Sequence, residues 1–349
     1  MVNIENLVRE NIKELKPYST ARDEFVGVAS VFLDANESPY NAPYNRYPDP
    51  MQWELKRVVA AQKGVAAEQI LLGNGSDEPI DLLIRAFCEP KQDNIVAIAP
   101  TYGMYKVAAD VNNVEYRKAP LNAQLDFCAD ELLQAADEHT KLIWLCSPNN
   151  PTGNSLNRRE IVKTIEAFAG IVVLDEAYID FSEHKTFLQE LNKYPNLVVL
   201  QTFSKAWASA GVRLGMAFAA AKIIAVLNKI KYPYNINVLT QRHALQHILQ
   251  HEDDVKAWVK TLLAERKKLC AALAALPCVL RTFPTDANFI LVKVADANAM
   301  YRHLAGKGVV VRNRHNVERC EDCLRITVGT PEENAELIAE MKTVGSAGS

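Results

Sequence analysis

Six short apolar runs, separated by stretches of helical patterning, fill the chain between Gln69 and Ala221 and leave few folds open to it. The runs are Ile70–Leu72, Ile95–Ala99, Leu142–Cys146, Ile171–Leu174, Leu197–Leu200 and Gly215–Ala219. Between most of them lie segments that read as helices: Asp77–Cys88, Tyr102–Asn112, Asp130–Asp137 and Arg158–Ala169. A strand apolar on both sides needs cover on both, so the pattern predicts an α/β fold, a mostly parallel central sheet with helices on either face. Open sheets of this kind bind ligands beyond the carboxyl ends of their strands. The residues that follow each run are therefore where chemistry should be sought.

After Pro233 the pattern changes. A long helical stretch over about Val238–Leu276 leads to short strands at Leu280–Phe283, Phe289–Val294, Val309–Arg312 and Leu324–Val328. Helices are expected around Ala297–Gly306 and Glu332–Val344, which makes this a smaller α+β domain. The expected division is a helical arm over residues 1–29 packed with the small domain, a large ligand-binding domain over 30–237, and the small domain over 238–349. The closing GSAGS reads as disordered.

Composition serves mainly to exclude. At 349 residues the chain can bury a large core without disulfides or metals. Its formal net charge is −3 and its Lys and Arg residues are scattered, so no nucleic-acid partner is expected. No run approaches the ~20 apolar residues that span a bilayer, and the opening MVNIENLVRENIKELKPY lacks the features of a signal peptide. No membrane association is expected. The seven cysteines are dispersed; Cys320 and Cys323 form a lone CxxC with no second pair to complete a zinc site, so no metal is expected. Free thiols point to a cytoplasmic protein.

Five strand ends carry suggestive residues. Ile70–Leu72 runs into Gly73-Asn74-Gly75-Ser76-Asp77-Glu78, whose glycines and helix N-terminus suit an anion; a plain turn capped by Ser76 is the alternative. Ile95–Ala99 leads to Tyr102, either a stacking ring for a planar cofactor or a core aromatic. Leu142–Cys146 leads to Ser147-Pro148-Asn149-Asn150-Pro151-Thr152-Gly153, a constrained turn that sets Asn150. Ile171–Leu174 ends in Asp175, with Tyr178 beyond; a carboxylate there needs a cation, unless it merely caps the next segment. Leu197–Leu200 leads to Thr202, Ser204 and Lys205. A lysine directly after a buried strand has little structural use, and desolvation would leave its amine neutral and nucleophilic. Arg213 follows, with a fork suited to phosphate.

In order and placement these residues resemble the fold-type I, aspartate-aminotransferase-like family of pyridoxal 5′-phosphate (PLP) enzymes, across essentially the whole chain. The resemblance implies that Lys205 holds the cofactor covalently and later moves the proton, while Asp175 pairs with the pyridine nitrogen. Asn150 and Tyr178 would bond the ring hydroxyl, and Tyr102 would stack on the ring. The loop Gly75-Ser76-Asp77, with Thr202, Ser204 and Arg213, would bind the cofactor phosphate. Leu33–Pro39 with Asn45–Pro50, and Cys323–Thr330, further resemble the terminal signatures of the histidinol-phosphate aminotransferase branch. That implies L-histidinol phosphate and 2-oxoglutarate as substrates, and a homodimer in which Tyr47 reaches the neighbour's phosphate site. Tyr18, Asn36, Arg312 and Arg325 would contact substrate. Arg312 also lies among Arg302, Arg314 and Arg319, and such a cluster reads equally as solvated surface. The glycine common after the Asn-Glu-x-Pro of relatives is replaced by Tyr40-Asn41-Ala42-Pro43, which leaves that loop's shape open. Aromatic amino-acid aminotransferases and decarboxylases of phosphorylated amino acids share most of these motifs. A PLP-binding transcription regulator would need a DNA-binding module, for which the stretch before Tyr18 is too short.

Overall fold

The computed structural model describes residues 2–20, 27 and 29–345. Two short helical turns open the chain, α1 (Ile4–Leu7) and α2 (Glu10–Lys13), and α3 (Trp53–Lys63) leads into the main sheet. Its strands are β1 (Ile70–Asn74), β2 (Asn94–Ala99), β3 (Glu115–Pro120), β4 (Thr140–Cys146), β5 (Ile171–Asp175), β6 (Leu197–Thr202) and β7 (Leu214–Ala219). They lie in the order β1-β7-β6-β5-β4-β2-β3, and all run parallel except β7, which is antiparallel to both neighbours. Between the strands come α4 (Asp77–Phe87), α5 (Met104–Val111), α6 (Ala129–Gln134) and α7 (Arg158–Ala167), with α8 (Ala221–Ile230) after β7.

Alternate strand residues enter two different cores, as the period of a strand requires. Val96, Ile98, Ile143, Leu145, Val172 and Leu174 pack with Leu55 and Val59 of α3, Leu132 of α6 and Ile161 of α7. Ile95, Ala97, Leu142, Trp144, Ile171 and Val173 pack on the other side with Leu83 and Phe87 of α4, Tyr105 of α5 and Leu227 of α8. With both faces covered, the strands need apolar residues at every position, which is why they are visible as continuous runs.

β3 was not among the expected strands. Its residues Glu115, Arg117 and Lys118 face solvent at the sheet's edge, where no second face needs an apolar run. The N-terminal arm also departs from expectation. Ile4, Val8 and Ile12 bury themselves in the α4–α5–α8 core of the main sheet, and Arg9 donates to Glu89 at 3.0 Å and to the carbonyl of Arg85. The described part of the arm therefore packs on the large domain, not the small one, because its apolar stripe fits the gap beside α4 and α8.

A kinked helix, α9 (Val238–Ala274), bends at His251 (φ −125°, ψ 15°) and leads to a second sheet. Strands β8 (Val279–Thr282), β9 (Phe289–Val294), β10 (Arg312–Asn313) and β11 (Cys323–Thr327) are antiparallel in the order β10-β11-β9-β8. Leu269 and Leu273 of α9, Met300 and Leu304 of α10 (Ala297–Gly306) and Leu337 and Met341 of α11 (Pro331–Gly345) cover one face. The strand expected over Val309–Arg312 shortens to Arg312–Asn313. Val309 instead donates its N–H to Leu304, closing α10, and Val310 is left exposed. The expectation for the GSAGS tail falls almost wholly on residues outside those described. Among the described residues no helix is long and apolar enough to cross a membrane.

Candidate active site

A cavity of about 160 Å³ opens beyond the carboxyl ends of β1, β2, β4, β5 and β6. Its walls include Ser76, Asp77, Tyr102, Asn150, Asp175, Tyr178, Thr202, Ser204, Lys205 and Arg213, all expected there, together with Cys146, Ala177 and Ala210. The parallel strands bring them together: Cys146 lies beside Asp175, and Asp175 beside Leu200, in the sheet register.

Two neighbouring carboxylates end β5, and their surroundings separate their roles. Glu176 is buried but satisfied within the protein, accepting from the Phe187 N–H at 2.8 Å and from Gln201 at 3.0 Å. Asp175 is buried at 3% exposure and faces the cavity. Burial pushes its carboxyl above the usual range, opposed by the Tyr105 hydroxyl at 2.7 Å and the Ala177 N–H at 3.0 Å. Among the described residues no cation forms an ion pair with it, although a buried carboxylate is stabilised chiefly by one. Tyr105, fully buried and stacked on Trp144 at 4.8 Å, was not singled out from the sequence. Tyr105 lies in the first turn of α5, three residues after Tyr102, which precedes that helix. Tyr102 itself donates to Asp77 at 3.0 Å and meets Tyr105 edge-on at 5.6 Å.

Lys205 follows β6 in a turn, with its Nζ 5.5 Å from the centre of the Tyr178 ring. Burial lowers its pKa, and the positive charges of Arg325 and Arg213 lower it further against the pull of Asp175. Burial raises the Tyr178 phenol, which keeps it protonated as a donor.

Opposite lies an anion cradle. Gly75 adopts φ +68°, and a Cβ there would stand 2.4 Å from an Arg213 nitrogen; one on Gly215 would stand 2.3 Å from the Gly75 backbone. Both positions therefore require glycine. Gly75 donates its N–H to the Arg213 carbonyl at 2.8 Å, which ties β1 to β7. Ser76 heads α4 without a side-chain cap bond, so the simple capping role does not describe it. Thr202 donates to Ser204 at 3.0 Å. Arg213, held in the left-handed region at φ +57°, reaches Ser204 at 3.4 Å and lies 3.5 Å from Asp77. A left-handed non-glycine residue persists where its surroundings enforce it.

The second sheet packs against two of the lining residues. Tyr178 packs edge-on against Phe289 of β9 at 5.1 Å, and Arg325 of β11 donates to the Asn150 side chain while lying 5.3 Å from the Phe289 ring. Arg312 faces Arg325 across the β10–β11 pair. Of the expected residues, Gly75, Arg312 and Arg325 stand behind the cavity's lining rather than in it, and three more lie elsewhere. Tyr18 lines a separate cleft with Phe32, Pro50 and Trp53, Asn36 is exposed at φ +54°, and Tyr47 stacks on Tyr234 at 4.4 Å.

The residues present fit PLP: an unpaired buried carboxylate for its ring nitrogen, a lysine biased to the neutral amine for its aldehyde, and glycines that clear space for its phosphate. Such a site on a sheet of this order, with the lysine after β6 and the aspartate ending β5, defines the PLP-dependent enzymes of fold type I. The chain matches the aminotransferase class I and II family over residues 27–341 and belongs to it. It is 60% identical to the histidinol-phosphate aminotransferase of Bacteroides thetaiotaomicron over 343 residues, 98% of this chain and 99% of that one. Its identity to the Parabacteroides distasonis enzyme of the same name is 59% over 344 residues, 99% of each chain. Among solved structures, the histidinol-phosphate aminotransferase from Clostridium acetobutylicum matches with a TM-score of 0.80 at 22% identity, covering 87% of this chain and 92% of that one. The enzyme of that name from Sinorhizobium meliloti, in complex with pyridoxal-5′-phosphate, matches at 0.79 and 22% over 90% of each chain. At those identities the structures speak to the fold alone.

Proposed function

We propose that the chain transfers the amino group of L-histidinol phosphate to 2-oxoglutarate, giving imidazole-acetol phosphate and L-glutamate, with PLP held on Lys205. The observation that carries the chemistry is the buried, unpaired Asp175 carboxylate in a cavity it shares with Lys205. The substrate reading rests on the 60% identity to enzymes named for it, and favours them over aromatic aminotransferases and phospho-amino-acid decarboxylases.

PLP, when bound, supplies an electron sink for a carbanion at the donor's amine-bearing carbon. Asp175 keeps that sink effective by holding a positive charge on the ring nitrogen, and Tyr105 orients the carboxylate. Asn150 and Tyr178 donate to the ring hydroxyl, and Tyr102 covers the ring. The cradle of Gly75, Ser76 and Asp77, with Thr202, Ser204 and Arg213, takes the cofactor phosphate. Lys205 Nζ would hold the cofactor aldehyde and, once freed, would carry the proton from the donor's Cα across the intervening nitrogen to the carbon that was that aldehyde. The acceptor keto acid is aminated by the reverse steps, giving ping-pong kinetics. Arg325 and Arg312 receive the acidic end of either substrate.

We also read the protein as a cytoplasmic homodimer, divided into a PLP-binding domain over 30–237 and a small domain from 238. Support for the dimer comes from Val31, Leu33, Tyr40 and Tyr44, large apolar and aromatic side chains exposed among polar neighbours in one stretch of the chain. In a dimer Tyr47, Tyr18 and Asn36 would meet a neighbour's cavity. The seven free cysteines support a reducing compartment. The test is to mix the yellow holoenzyme with single amines and follow loss of its lysine-bound cofactor band. Histidinol phosphate should act faster than histidine, phenylalanine or tyrosine; a faster aromatic amino acid would sink the substrate reading.

A further inference from the structure

Three arginines share one face of the small sheet. Asn313 of β10 turns to α10, donating to Asn298 at 2.8 Å, so its neighbours Arg312 and Arg314 lie on the opposite side. The Arg314 N–H donates to the Cys323 carbonyl at 2.9 Å, extending the β10–β11 pairing, and Arg325 stands directly across from Arg312. This face, which also carries Phe289, looks toward Asn150 and Tyr178. Arg325 bonds the first, and both Arg325 and Arg314 sense the Tyr178 phenol electrostatically.

Among the described residues none of the three forms an ion pair, and Arg314 makes no side-chain hydrogen bond at all. Its Nε is buried without an acceptor, and its guanidinium is half-buried. Burial pushes its pKa down to about 10, with Arg325 and Arg312 adding repulsion. A partly desolvated cation beside two others destabilises a fold unless an anion completes the set. One guanidinium fork satisfies a carboxylate. A phosphate monoester presents three terminal oxygens and nearly two charges at neutral pH, and needs more than one fork.

We propose that Arg314 is a specificity-determining residue that completes, with Arg312 and Arg325, a three-guanidinium subsite for the phosphate group of the amino donor. The proposal rests on the reading of the donor as a phosphate monoester and adds the residue that separates it from a dicarboxylate.

The test compares the holoenzyme with Arg314→Gln in single-turnover half-reactions, using L-histidinol phosphate, L-histidinol and L-glutamate. Losing a charge-assisted hydrogen bond should lower kcat/KM for histidinol phosphate by roughly 10- to 100-fold, mostly through KM. The loss should be at least tenfold smaller for histidinol and glutamate. Arg314→Lys should recover part of the preference, and Arg302→Gln, which removes the same charge from the exposed side of α10, should recapitulate none of the loss. Equal losses on all three donors, or none on histidinol phosphate, would overturn the assignment, provided the cofactor band and melting temperature are retained. Should the unsubstituted enzyme itself fail to prefer histidinol phosphate over histidinol, the substrate reading falls instead. Arg314 is then judged by inhibition of the glutamate half-reaction by inorganic phosphate, which Arg314→Gln should weaken tenfold or more; unchanged inhibition would refute its role.

Discussion

Tyr105→Phe isolates the contribution of one hydroxyl to the charge on Asp175. The tyrosine ring is buried against Trp144, and phenylalanine keeps that stacking and almost all of the volume. The 2.7 Å bond to Asp175 is lost, with the hydroxyl's interaction with the Cys146 thiol, while the bond from the Ala177 N–H remains. A hydrogen bond to a charged group contributes about 1.5–3 kcal/mol. If all of it acts on the reacting state, the donor half-reaction slows by roughly 10- to 100-fold, at about 1.4 kcal/mol per factor of ten. The pH dependence has a defined sign. Burial raises the Asp175 carboxyl and the Tyr105 hydroxyl opposes that, so its removal raises the group further. The acid limb of the rate profile then moves to higher pH. Stopped-flow single turnovers should be measured for Tyr105→Phe, Asp175→Asn and the double variant. Asp175→Asn alone should slow the reaction by several orders of magnitude, because a neutral amide cannot hold the ring cation. In that background Tyr105→Phe should cost less than about threefold, since no charge remains to be held. An equal cost in both backgrounds, or an effect below twofold in the first, refutes the coupling.

Lys205→Ala should abolish both the lysine-bound cofactor absorbance and transamination; retained turnover would remove the central assignment. Arg325→Gln removes a positive charge that holds the Lys205 amine down, so that amine's pKa rises. Capture of PLP by the apoprotein needs the neutral amine, so its rate profile should shift to more alkaline pH, and an unmoved profile would show that Arg325 does not act on Lys205. The same variant should weaken use of both substrates; an effect on one alone would mean that the two acidic ends bind at separate places.

Much of the site was legible because parallel strands advertise themselves as apolar runs and deliver their chemistry at one end. Lys205, Asp175 and Asn150 each stand where a run stops. What escaped notice did so for physical reasons. Strand β3 lies at an edge and carries charges. Tyr105 looks like any core aromatic, since its hydroxyl matters only through a carboxylate seventy positions on. Arg314 was indistinguishable from the solvated arginines around it until the alternation of β10 placed it beside Arg325. The arm's apolar stripe announced burial without saying against which domain.

The bond between Gly75 and Arg213 also bears on how the protein is made. Strand β1 touches no neighbour but β7, and every other strand of its sheet is synthesised between the two. At ribosomal speeds the first strand waits roughly ten seconds for its partner, with Ile70, Leu71 and Leu72 still unpaired. The phosphate cradle does not exist on the nascent chain during that interval. The cofactor phosphate can therefore meet its complete cradle only after β7 has been made.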